Sequence, residues 1–128
     1  MDLIIYSELL KIKQIDITEK SWFNPDCSGR VRVSSPFSGS YSGNITFRLL
    51  PAYFKHKTNT IFEFSNSNEF DTSNVIIKDY EPSGNYVITS ANIRQNGVNS
   101  GQVHWRVAYV DEYRGQGGWS SVYSIVVN

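Results

Sequence analysis

The chain has 128 residues, enough for one domain around one core. With 40% hydrophobic and 19% charged residues it is too apolar to be disordered and too polar to be embedded in a membrane. Twelve basic residues balance twelve acidic ones, so a net charge of zero leaves no electrostatic footprint for nucleic acid.

Neutrality also gives little help with the solubility of a lone monomer, and it suits a protein that lives in an assembly. Cys27 is the one cysteine, so neither an internal disulfide nor a cysteine metal cluster can form. The start, MDLIIYSELLKIKQIDI, has an acid at position 2 and no basic region before its short apolar run, Leu3 to Tyr6. It reads as neither a signal peptide nor a membrane span. The expectation is a chain that works where it is made, or is exported without a cleaved signal.

Residues 1–9 are an N-terminal arm to a single domain spanning 1–128. The run LLKIKQIDIT alternates Leu10 and Ile12, slips one place at Gln14, then resumes at Ile15 and Ile17. A bulged strand over 10–18 does this; an amphipathic helix over 6–13 is the competing reading. SWFNPDCSG, 21–29, is a loop by its Asn-Pro-Asp and Ser-Gly pairs. Further alternating runs predict strands over 30–35, 44–50, 60–67, 74–80, 85–93, 102–113 and 119–127. Between them lie PFSGSYSG, a polar loop over 66–74, EPSG and the glycine hairpin RGQGG. Ser-Gly precedes an alternating run four times, ending at Gly29, Gly43, Gly84 and Gly101. The uneven spacing marks shared turn chemistry and not a repeat.

About seven to eight short strands at this spacing, without a long helix, predict an all-β antiparallel sandwich. The connections are too short for helical crossovers, so every pairing is expected to be antiparallel. Alternation in VHWRVAY puts Val103, Trp105, Val107 and Tyr109 on the core face. His104, Arg106 and Ala108 fall on the other face.

Few residues point to chemistry. His56 and His104 are the only histidines, and neither has zinc-ligand spacing. Cys27 sits beside a turn with no nucleophile signature. GSYSG lacks the spacing of a nucleophile elbow. Asn66, Asn68, Glu69, Asp71 and Asn74 offer hard oxygens, but without the order of a calcium loop. Glu63 and Asp79 are the carboxylates a glycosidase-like reading would use. No motif calls for a metal or cofactor, and the expectation is a protein that is not an enzyme.

Surfaces remain. Tyr and Trp among Ser, Gly and Asn are what binding loops use. Tyr41 in PFSGSYSG, with Tyr113, Arg114 and Trp119 in DEYRGQGGW, are the candidate binding residues. His104 and Arg106 are candidates for an interface.

The segment VHWRVAYVDEYRGQGGWSSVYSIVV resembles the end of a fibronectin type III or related immunoglobulin-like domain. Trp105, Val107, Ala108, Gly118, Trp119 and Ser120 carry the resemblance, over about 25 of the 128 residues. It implies a β-sandwich that acts through protein contact. A jelly roll is the alternative fold. The resulting expectation is a non-catalytic interaction subunit of a large assembly such as a phage virion: a capsid decoration, head fibre, tail or baseplate component. Its partners would be other protein subunits, including copies of itself. The alternative is a carbohydrate-binding module that stacks sugars on its loop aromatics.

Overall fold

In the computed structural model, residues 31–52, 54, 56–113 and 115–128 are described. The predictions for 1–30, including Cys27, and for Arg114 lie outside the described residues. Among the described residues, alternating apolar side chains build nine strands and one helical turn. In chain order these are β1 Val33–Ser35, β2 Ser40–Tyr41, β3 Asn44–Leu49, β4 Thr58–Ser65, β5 Ser73–Asp79 and β6 Asn85–Thr89. Then follow the turn α1 Ser90–Ile93, β7 Gly101–Asp111, β8 Gly115–Gln116 and β9 Tyr123–Val127.

The chain is all-β. A three-stranded sheet in the order β1-β3-β6 faces a six-stranded sheet in the order β2-β9-β7-β4-β5, with β8 on β7. The core lies between them. Ile45, Phe47 and Leu49 come from β3, Tyr86 and Ile88 from β6, Phe62 and Phe64 from β4, and Ile125 and Val127 from β9. Val103, Trp105, Val107 and Tyr109 occupy the inner face of β7, as the alternation predicts. Phe47 is the hinge of the packing across the sheets, edge-on to Trp105 at 4.8 Å and to Phe64 at 5.6 Å.

Three expectations need correction. The pairing is not antiparallel throughout, because β2 runs parallel to β9, Ser40 beside Val126 and Tyr41 beside Val127. The chain does not turn back between β1 and β2. It leaves the edge of one sheet and continues in the same direction on the edge of the other, so a parallel neighbour needs no helical crossover. The strand predicted over 85–93 stops at Thr89. The Thr89 hydroxyl accepts the Asn92 N–H at 3.1 Å and caps a helical turn, which returns Ile93 to the core. The final strand starts at Tyr123 and not at 119. Before it, Ser120 pairs with Val107 through Ser120 N–H to Val107 O (2.8 Å), and Ser120 Oγ accepts the Val107 N–H at 3.0 Å.

Gly84 explains one Ser-Gly pair. It sits at φ +79°, and a Cβ there would run into the carbonyl oxygen of Leu49. Only glycine allows its own carbonyl to receive the Leu49 N–H at 2.8 Å, which fastens the β5–β6 turn to the end of β3.

Candidate functional site

The register places the ends of β3, β5 and β7 and the starts of β4 and β6 at one end of the sandwich. Asp111 lies opposite Thr58, Asp79 opposite Asn59, and Asn85 opposite Arg48. The β3–β4, β5–β6 and β7–β8 loops therefore converge. Between the first two lies an open cleft of about 500 Å³, walled by Pro51, Phe54, His56, Asp79, Tyr80 and Pro82, with the β7–β8 loop beside it.

Tyrosines rooted in the core hold this end in shape. The Tyr80 hydroxyl donates to the Ala52 carbonyl at 2.6 Å and binds the β3–β4 loop. Phe54 packs edge-on against Tyr80 at 4.9 Å and Tyr109 at 4.7 Å, which draws that loop onto the core. The Tyr86 hydroxyl accepts the Glu81 N–H at 2.8 Å and lies 2.8 Å from Thr60 Oγ1, fixing the β5–β6 loop. The Glu112 N–H donates to the Lys57 carbonyl at 3.1 Å, tying the first loop to the third. Loops already ordered lose less entropy when a ligand arrives.

Burial raises the pKa of Tyr109 well above the ordinary phenol value, and that of Tyr86 upward as well. In both, loss of hydration disfavours the phenolate, and neighbouring tyrosines add to it. A folded-state pKa above the unfolded one gives stability that is complete below about pH 10 and is lost as the pH rises through the raised values. A phenolate absorbance titration should show a class of tyrosines that ionises only as the far-ultraviolet circular dichroism signal collapses. Ionisation of every tyrosine with that signal intact would contradict the burial.

The candidate binding and interface residues divide among separate places. Tyr113 stands at the convergent end, 62% exposed, with its ring edge-on to His56 at 4.7 Å. Tyr41 is at the opposite end. It lies on β2 and not in a loop, half-buried against the main core, and its hydroxyl donates to the Ser38 carbonyl at 2.8 Å.

Trp119 and Arg106 meet on the outer face of the six-stranded sheet. The Arg106 guanidinium lies between two rings, 4.3 Å from the Trp119 centroid and 4.2 Å from that of Phe70. It also binds Glu63 Oε1 through Nη2 at 2.7 Å and Nε at 2.8 Å. The Ser73 hydroxyl donates to Glu63 Oε2 at 2.7 Å. Beside this clamp, Ile61, Ala108 and Val110 form a second buried cluster, with Val75, Ile77 and Trp119 packed against it. Part of the outer face is thus a small second core, and Arg106 is engaged within the domain. His104 is half-buried further along β7, opposite Ser65 and Ser124.

The carboxylates do not pair. Glu63 lies opposite Val75 in the register, four places along β5 from Asp79. That is roughly 13 Å of strand, beyond the spacing of either glycosidase geometry. In the polar 66–74 loop the amide groups serve other loops. The Asn66 side chain donates to the Asn99 and Gln102 carbonyls and accepts the Asn99 N–H. The Asn74 side chain donates to the Asn92 and Ile93 carbonyls at the end of α1.

Sequence reasoning passed over His56, Tyr80 and Tyr86 as site residues. Their signal was the aromatic content beside Pro51 and Pro82, the two prolines that flank the cleft. No protein-family model matches the chain, and no curated protein sequence matches it.

Proposed function

We propose that this domain is a non-catalytic interaction module. It docks on another protein through the loop end, as an accessory subunit of a larger assembly such as a virion. The observation that carries this reading is an open, aromatic-walled cleft between two braced loops, with Tyr113 of the third loop exposed beside it. A rigid aromatic offered next to an apolar recess is a common anchor for protein contacts.

The strand order supports an immunoglobulin-like fold over a jelly roll. The sheets β1-β3-β6 and β9-β7-β4-β5 correspond to strands A-B-E and G-F-C-C′ of such domains. In that correspondence the cleft lies between the B–C loop and the loop that joins C′ to E, at the end that variable domains use for recognition. Fold alone does not decide function, so the loop end and not the topology bears the argument.

One observation favours the carbohydrate reading. An exposed tyrosine ring stands near the imidazole of His56 and the carboxylate-bearing Asp79, a pairing of stacking surface and hydrogen-bonding groups. A glycan array probed with the full chain separates the two. The protein-docking reading expects no saturable glycan signal, together with a loss of about tenfold or more in co-assembly for Tyr113→Ala. Saturable glycan binding that Tyr113→Ala abolishes would replace docking with sugar recognition.

A further inference from the structure

Among the described residues, strand β5 has a neighbour on one side only: it pairs with β4 and with nothing else, along seven consecutive residues in unbroken register. The direction of its free groups follows from one bond. Tyr80 N–H donates to the Thr58 carbonyl on the β4 side at 3.1 Å. In an antiparallel ladder the direction alternates, so Lys78, Ile76 and Asn74 also face β4. The N–H and C=O groups of Ser73, Val75, Ile77 and Asp79 then point outward from the sheet edge.

Open edges in proteins are commonly blunted by proline, a bulge, charges or a covering segment. β5 has no proline and no bulge. Its one basic residue, Lys78, belongs to the set whose backbone faces β4, and Asp79 stands at the very end. Val75, Ile76 and Ile77 are half-buried, and no described strand pairs along their outer flank. The edge strand of the smaller sheet, β6, is five residues long and its outer residues are Asn85, Val87 and Thr89.

We propose that β5 pairs with β5 of a second copy of this chain, antiparallel about a two-fold axis at Ile76. The register identifies the occupant. Centred on Ile76, the outward-facing backbones meet each other, Val75 opposite Ile77 and Ser73 opposite Asp79, as hydrogen-bonded pairs. Lys78 falls opposite Asn74, so no like charges meet. Shifting the centre to Ile77 sets Val75 against Asp79 and Ile76 against Lys78. Shifting it to Val75 sets Ser73 against Ile77 and Asn74 against Ile76. Only the Ile76 centre pairs all seven residues and keeps polar with polar and apolar with apolar. The two second clusters, each including Val75 and Ile77, then become one continuous apolar strip on the joined sheet. This contact is independent of the loop-end docking reading and occupies a different edge of the domain.

The register also specifies the test. At the axis, Ile76 faces Ile76 of the partner as a non-hydrogen-bonded pair, with Cα atoms about 4.5 Å apart, within disulfide reach. In a Cys27→Ser background, Ile76→Cys should oxidise to a covalent dimer, and Lys78→Cys should not. Sedimentation velocity of the full chain should show a dimer that Val75→Pro removes with circular dichroism unchanged, since that N–H faces outward. Should Val75→Pro fail to fold, Ile77→Lys tests the same edge by charge. Val87→Lys on β6 should leave the dimer intact. A chain that stays monomeric at every concentration would overturn the proposal. So would a dimer that survives both β5 variants, or one in which Lys78→Cys cross-links as well as Ile76→Cys.

Discussion

Replacing Trp105 with alanine is expected to cost about 3–5 kcal/mol of stability, with the urea-denaturation slope unchanged. The side chain is fully buried at the centre of β7. It packs edge-on to Phe47 of the opposite sheet at 4.8 Å and tilts onto Tyr123 at 5.4 Å and Phe62 at 6.2 Å. Alanine would remove the contact that joins the two sheets and leave a cavity which rigid neighbours cannot fill. A domain of this size has about 5–15 kcal/mol in total, so the variant should stand near the edge of folding. Phenylalanine is expected to cost far less, about 1–2 kcal/mol. The Trp105 Nε1–H is buried and meets no acceptor among the described residues. Removing a buried donor without a partner recovers part of the packing lost. Equal losses for Phe and Ala would show that the indole N–H is satisfied and contributes to the fold.

The second large effect is expected at Arg106. Arg106→Ala should destabilise by about 2–4 kcal/mol, against the ±0.5 kcal/mol usual for a surface residue. The loss has three parts: two ring faces, a two-pronged contact to one carboxylate oxygen, and a Glu63 left with Ser73 as its hydrogen-bond donor. The Glu63 side chain is 12% exposed and that of Arg106 27%, so solvent screening reduces the pair's strength only in part. In a double-mutant cycle, Glu63→Ala and Arg106→Ala together should cost less than the sum of the singles, by about 1–3 kcal/mol. Additive losses would mean that Arg106 works through the rings alone.

These two residues also show what the sequence revealed. Trp105 was legible as core because alternation fixes which face a strand residue occupies. The same parity put Phe47, Phe62 and Phe64 inside and Glu63 outside, so the sandwich followed from local pattern. Parity does not reveal register. That Arg106 lies opposite Glu63 depends on pairing between segments over forty residues apart, and that residues 115–120 fold back along β7 to set Trp119 on the guanidinium depends on a turn whose closure parity does not encode. For the same reason the contacts of Arg106 with Glu63, Phe70 and Trp119 within its own sheet were not legible. The helical turn after Thr89 was hidden because the four residues Ser90–Ile93 are too short to show a helical period, although a continued pleat would have set Ile93 on the outer face with Val87. The parallel β2–β9 pair was hidden because a two-residue strand in PFSGSYSG carries no alternation to detect. The cleft was legible only as a surplus of loop aromatics. Which of them meet is set by strand ends that the register brings together.

The central claim is that the loop end is the docking end. It can be tested by placing a photo-crosslinking benzoylphenylalanine at position 113 in the full chain, expressed in its native host. The same label at position 87, exposed on the opposite sheet, serves as the control. The account predicts a covalent adduct with another protein from position 113 and none from position 87. Adducts that form at 87 but not at 113 would contradict it.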